Sequence, residues 1–320
     1  MPARIIQTVV FLGLFLFSQP GISRTTLPFN DNWSFKKGET ANAQSPKLDD
    51  SQWRKLTIPH DWGIEGPFDP EGEPETGKLP WKGQAWYRKS FTLDADMAGK
   101  KIYFLFDGVM AFPKIYINGQ LAGEWDYGYN SFYIDATDFL KPGQENLIAV
   151  HVDTRLHESR WYPGAGIYRK VQLIVSEPTH IPIWGTYVTT PHITEAYADI
   201  SSQIEVLNTE KTTQSVTLEN HILNPQGAIV LSDTSTQQIA PNSSYIFEQW
   251  NTLLSPQRWD VEDPKLYSLQ SVVKIGEKVV DEISTPFGIR TFKFTADDGF
   301  YLNGRRVQFK GGSQWPKVVV

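Results

Sequence analysis

Apolar and polar positions alternate with a period of two in short runs along most of this chain, and no run keeps the three-to-four-residue spacing of an amphipathic helix. Between residues 27 and 178 the runs fall at 33–35, 53–62, 84–93, 101–106, 114–122, 131–134, 146–152 and 170–175, divided by glycine, proline and asparagine. Residues 114–122 (KIYINGQLA) are the clearest hairpin, because Asn118-Gly119 suits a two-residue turn between alternating strands. The nearest approach to a helix, Asp138-Phe139-Leu140-Lys141, stops at Pro142-Gly143. Strands at this spacing predict a β-sandwich of jelly-roll type over residues 24–178. Pro178 and Pro182 mark a boundary, after which 184–190, 198–207, 215–223, 244–249 and 267–273 repeat the alternation between Thr- and Ser-rich turns. An immunoglobulin-like β-sandwich over 179–293 is expected there. Finally, 287–294 leads into 299–311, where Asn303-Gly304 marks a second hairpin in a further unit, 294–320. The fold class is all-β.

Residues 1–23 follow a different pattern. Arg4 gives a basic start, 5–17 (IIQTVVFLGLFLF) is an unbroken apolar run, and Gly21-Ile22-Ser23 supplies small residues for cleavage. That is the grammar of a signal peptide, so a secreted or periplasmic protein beginning at Arg24 is expected, with no membrane partner once the leader is removed. The other reading, a membrane anchor, needs a longer run of about 20 apolar residues.

The strands 146–152 and 170–175 flank the stretch densest in candidate chemistry, Arg160-Trp161-Tyr162-Pro163-Gly164-Ala165-Gly166-Ile167-Tyr168-Arg169. Trp161 and Tyr162 offer apolar faces with polar edges, a combination that suits a sugar ring, and Gly164 and Gly166 allow sharp turns or close approach. The same aromatics could equally plug one end of the sandwich. Residues 63–83 (GIEGPFDPEGEPETGKLPWKG) carry no strand pattern and form a long loop, either functional or a solvated insertion.

Composition narrows the classes. Aromatics make up 13% of the 320 residues, as a carbohydrate binder or an all-β core would show. Net charge is −6 with no basic block, which argues against nucleic acid as a partner. There is no cysteine, so no disulfide, thiolate metal site or thiol nucleophile is available, and the six histidines lack metal-ligand spacing. No metal and no cofactor is expected.

Six motifs in order, Ile58-Pro59-His60-Asp61-Trp62, Ala85-Trp86-Tyr87-Arg88, Ile115-Tyr116-Ile117-Asn118-Gly119, the 160–169 stretch, Phe287-Gly288-Ile289-Arg290 and Leu302-Asn303-Gly304, resemble the N-terminal half of glycoside hydrolase family 2. The likeness is greatest to its bacterial β-galactosidase branch. It implies a sugar-binding jelly roll, an immunoglobulin-like domain and the first hairpin of a (β/α)8 barrel. Family members are retaining hydrolases whose two catalytic glutamates sit on that barrel, about 5–5.5 Å apart. A barrel takes roughly 250 residues. On this resemblance the chain carries no catalytic residue, is a truncated glycosidase, and does not hydrolyse glycosides unaided; Gly312-Ser313 in place of the usual continuation points to a shifted frame or early stop. By position the resemblance carries substrate binding to Asp61, Trp62, Glu158, Arg160 and Trp161. Some relatives have an acid two places before the tryptophan, where this chain has Ser159, so a contact resting on that acid is not carried over. The implied partner is carbohydrate of the β-galactoside type, and the resemblance allows a homo-oligomer of the full-length protein. β-Glucuronidase and β-mannosidase relatives share the same plan, and a non-catalytic carbohydrate-binding protein is the alternative. The exposed apolar hairpin at 299–311 is expected to invite aggregation or trimming after about Arg290.

Overall fold

The computed structural model describes residues 24–311. The expected leader and the last nine residues lie outside the described part. Ten strands build the first unit: β1 (Arg24–Pro28), β2 (Trp33–Lys37), β3 (Arg54–Leu56), β4 (Gln84–Thr92), β5 (Lys101–Phe106), β6 (Lys114–Ile117), β7 (Gln120–Glu124), β8 (Phe132–Asp135), β9 (Glu145–Asp153) and β10 (Val171–Ser176). They form two antiparallel sheets, six strands in the order β3-β2-β4-β9-β6-β7 and four in the order β1-β10-β5-β8. The alternation seen in sequence is the reason. In β9, Ile148, Val150 and Val152 enter the buried cluster with Tyr87, Phe104 and Phe106, while His151 and Asp153 face outward.

Two outward residues of β4 are nevertheless buried. Residues 39–53 fold over the outer face, so that Trp86 packs with Ala43, Trp53 and Ala149. Arg88 donates there to the carbonyls of Ala43, Ser45 and Leu48 and to the Asp50 carboxylate at 3.0 Å. A guanidinium satisfied by three carbonyls and a carboxylate ties that loop to the sheet.

The second unit contains β11 (Thr179–His180), β12 (Thr186–Thr189), β13 (Tyr197–Asn208), β14 (Gln214–Leu223), β15 (Ile229–Ile239), β16 (Ser243–Leu254), β17 (Tyr267–Ile275) and β18 (Lys278–Phe287). One sheet joins β11, β12 and β16 to β13; the other runs β15-β14-β17-β18. Ile204, Val206, Leu218, Phe247, Leu269 and Val273 fill the space between them. A small sheet follows, β19 (Phe292–Thr295), β20 (Gly299–Leu302) and β21 (Arg305–Arg306), turned at Asn303-Gly304, both with positive φ. No α-helix occurs among the described residues, and none is long and apolar enough to cross a membrane.

A buried seam joins the sandwiches. The Arg24 guanidinium donates to both oxygens of Asp281, at 3.0 and 2.7 Å, and to the Ile181 carbonyl, while Ile181 N–H donates to Asp281 Oδ2 at 2.8 Å. Beside it Tyr103 Oη lies 3.0 Å from Nε2 of the buried His180. Burial is the largest influence on Asp281 and holds its carboxyl above the usual range, although Arg24 and the Ile181 amide pull the other way.

Candidate functional site

The 160–169 stretch is held between two other segments. On one side His60 N–H donates to the Ile167 carbonyl at 2.8 Å and Trp62 N–H to the Ala165 carbonyl at 3.1 Å; on the other, Met110 and Gly166 exchange both backbone bonds at 2.9 and 2.7 Å. Residues 163–167 are consequently buried. Gly166 has φ +118°, and a Cβ there would lie 2.2 Å from Tyr87 Oη and 2.8 Å from the His60 carbonyl oxygen. This glycine is required by packing against protein, where the sequence left open an approach to ligand.

Asp61 fastens the loop. Its Oδ1 accepts from Gly63 N–H at 2.9 Å, Ala165 N–H at 3.0 Å and the Tyr162 hydroxyl at 2.7 Å. Burial, reinforced by the Asp61 carboxylate, pushes the Tyr162 hydroxyl far above its ordinary value, so it stays protonated and donates. Behind Asp61 a second polar chain runs outward: Tyr87 Oη to His60 Nδ1 at 2.7 Å, His60 Nε2 to Glu65 Oε1 at 3.1 Å, and Glu65 to Arg54 at 2.6 and 2.8 Å. Burial depresses the His60 pKa against the opposing pull of Glu65, while the bond to Arg54 keeps Glu65 below its usual value.

With 163–167 locked, the residues just before them are presented to solvent. Trp161 is 58% exposed, its backbone N–H capped by Ser159 Oγ at 3.2 Å and its indole N–H donated to Tyr129 Oη at 2.8 Å. Tyr127 lies beside Tyr129, ring centroids 5.5 Å apart, and is itself exposed. Arg160 is exposed, and Glu158 reaches Lys82 Nζ at 3.4 Å, which Glu73 also approaches at 3.4 Å. Trp161, Tyr129 and Tyr127 thus make an aromatic ledge with charged groups along one side.

Of the residues singled out in sequence, Glu158, Arg160 and Trp161 come together on this ledge, and Asp61 supports it from below. Trp62 does not join them. It is 2% exposed, stacked near Phe35, and donates its indole N–H to the Trp81 carbonyl at 3.1 Å, so neither face is offered to a ligand. Tyr162 too is spent on Asp61. Residues 63–83 are no loose insertion: Trp62, Thr76 and Trp81 pin them to the core through two short 3-10 turns at Gly63–Glu65 and Pro74–Thr76. Tyr127 and Tyr129 went unread because they lie in a turn, where alternation carries no signal. Of the loop acids, Asp61 is engaged by three donors, Glu65 by Arg54 and His60, Asp69 by the Glu71 amide, and Glu73 and Glu158 by Lys82. Among the described residues no group of three His, Cys, Asp or Glu is placed to hold a metal.

Comparison with known proteins follows the same division. Residues 74–178 match the sugar binding domain of glycosyl hydrolases family 2, and residues 179–290 match a second model of glycosyl hydrolases family 2. A beta-galactosidase of Bacteroides ovatus is 40% identical over 88% of this chain and 34% of its own length; a beta-glucuronidase of Formosa agariphila is 33% identical over 92% of this chain and 32% of its own. The crystal structure of a family 2 member from Bacteroides cellulosilyticus superposes with a TM-score of 0.85 at 37% identity, covering 90% of this chain and 38% of that one. The chain spans about a third of the length of the curated relatives it matches. With two models of one family meeting end to end across residues 74–290 and relatives alike over nearly the whole chain, the protein belongs to glycosyl hydrolase family 2.

Proposed function

We propose that the two sandwiches are the substrate-flanking, N-terminal part of a retaining hydrolase of β-galactosides, and that the 320-residue chain cleaves no glycoside on its own. The observation that carries this is the ledge: Trp161 stands exposed on a backbone fixed by Asp61, with Arg160 and Glu158 beside it. A rigid aromatic face bordered by charge suits the C–H face and hydroxyls of a sugar. Hydrolysis needs an acid of raised pKa facing a free carboxylate, whereas here Asp61, Glu65, Glu73 and Glu158 are each engaged by a donor or cation. The galactoside choice rests on the higher identity to the beta-galactosidase, 40% against 33%. A second reading, a β-glucuronide, is favoured by Arg160, whose guanidinium pairs with no carboxylate among the described residues. Export through a leader removed after Ser23 is part of the proposal, supported by the pattern of residues 1–23.

The test is calorimetric titration with methyl β-galactoside, β-glucuronide and β-mannoside, beside hydrolysis of the corresponding p-nitrophenyl glycosides. Binding without turnover is expected, tightest for the galactoside and weakened about tenfold by Trp161→Ala, the worth of one stacked ring at roughly 1.5 kcal/mol. Hydrolysis by the chain, or no binding of any of the three, overturns the reading.

A further inference from the structure

The outer face of the six-stranded sheet holds a cavity of about 310 Å³ that the ledge does not use. Its floor is the outward row of β4 and β9. Gln84 and Asp153 are register partners, as are Trp86 and His151, and Lys114 of β6 lies opposite His151. The polar groups there are fixed before any ligand arrives. Gln84 Nε2 donates to Asp153 Oδ2 at 3.2 Å and lies 3.4 Å from His151 Nε2, while Arg155 clamps both oxygens of Asp153 at 3.0 and 2.7 Å. His151 is held against the Trp86 ring, centroids 4.7 Å apart. Burial lowers its pKa, which keeps the ring neutral, with one donor and one acceptor nitrogen.

Two apolar side chains complete the cavity, Phe112 set edge-on to His157 with ring centroids 6.3 Å apart and Leu156 left to solvent. Leu156 is 85% exposed at the lip. Phe112 takes φ +46°, a left-handed conformation unusual for an aromatic residue. A planar amide, a neutral imidazole, a carboxylate and a guanidinium around apolar walls is the donor-and-acceptor set that hydroxyls of a pyranose satisfy. The charges nearly cancel. Arg155 is matched by Asp153, and Lys114 faces Glu124 at 3.8 Å.

We infer that this cavity, lined by Gln84, His151, Asp153, Arg155 and Phe112, is a second carbohydrate subsite that takes a neutral hexosyl residue, separate from the Trp161 ledge. The inference rests on the reading that the first sandwich handles carbohydrate. Arg155 and Leu156 at the edge of the cavity lie on the same loop after β9 as Glu158 and Trp161, so the two sites hold different sugars of one glycan.

Amide chemical-shift mapping of the full chain with methyl β-D-galactoside and methyl β-D-glucuronide tests it, on the native sequence, on Trp161→Ala, on Gln84→Ala/His151→Phe, and on the surface pair Lys114→Ala/Leu156→Ser, which leaves the floor intact. The expected result is galactoside-induced shifts around residues 84, 112, 151 and 155 that persist in Trp161→Ala, with affinity at this cavity at least tenfold weaker in Gln84→Ala/His151→Phe and measurably weaker in the surface pair. Shifts confined to residues 127–129 and 158–162 would overturn the second subsite and leave the ledge standing. No shifts anywhere would overturn both readings, and a preference for the glucuronide at this cavity would overturn the neutral sugar.

Discussion

Asp61→Ala removes the carboxylate whose Oδ1 serves three donors and strands them all. Ala165 N–H and Gly63 N–H belong to buried residues, and the Tyr162 hydroxyl is half-buried. A buried donor left without its acceptor costs about 1–3 kcal/mol, and bonds to a charged acceptor lie toward the upper end. Two fully buried donors and one partly solvated one give a loss of about 3–5 kcal/mol, allowing the hydroxyl to find water. Asp61→Asn keeps an acceptor oxygen but gives up the charge, so about 1–2 kcal/mol is expected. Tyr162→Phe deletes a single partner and should fall near the same value. Urea unfolding followed by tryptophan fluorescence measures all three, and acrylamide quenching in the folded baseline reports whether Trp161 has come loose. The order Ala, then Asn and Phe together, is the signature of one carboxylate serving three donors. A loss below about 1 kcal/mol for Asp61→Ala, with quenching unchanged, would refute it.

Three further outcomes follow from the packing. Burial, with Arg24 nearby, pushes the His180 imidazole from the ordinary 6.5 down to about 4. A group whose folded pKa is depressed contributes stability that is present above pH 6.5 and is lost as pH falls toward 4, amounting to about 3 kcal/mol. Urea midpoints at pH 4 to 7 should therefore fall more steeply for the native chain than for His180→Gln; equal slopes would exclude His180 as the cause. Gly166→Ala, with its Cβ driven into Tyr87 Oη and the His60 carbonyl, should cost about 3 kcal/mol or more, and Tyr87→Phe should not rescue it because the carbonyl clash remains. Phe292 and Phe294 are 64% and 68% exposed on β19 beside Phe300 and Phe309, so sedimentation velocity should show self-association that Phe292→Ser/Phe294→Ser relieves.

The strands that read clearly in sequence are those with one wet and one dry face. Lys114 to Ala122 folds as the expected hairpin, with Asn118 and Gly119 at φ +51° and +86°. β15 escaped notice because Ile229–Ile239 is an edge strand whose solvent side is Ser, Thr and Gln and whose inner side is only partly covered. β1 carries no alternation that marks it as a strand, since Arg-Thr-Thr-Leu-Pro has one apolar side chain before its proline, although Arg24 is among the most consequential residues of the fold. Asp281 sat in an unremarkable Val-Val-Asp-Glu run, and only a partner 257 residues away gives it meaning. The site divides in the same way. Aromatic density located the ledge, but residue type alone could not separate Trp161, which is exposed, from Trp62, which is core, since that depends on which face of the chain the 39–53 and 63–83 segments cover.

The seam at Arg24 bears on mechanics as well as folding. Tandem domains tied only by their linker can twist about it. Here the ion pair of Arg24 and Asp281 clasps Ile181 at the end of the covalent passage through residues 178–180, so rotating one sandwich against the other strains a buried ion pair and the Ile181 amide together. A torque on the second sandwich therefore reaches the first through β1 and its neighbour β10, the strand that follows the Trp161 loop.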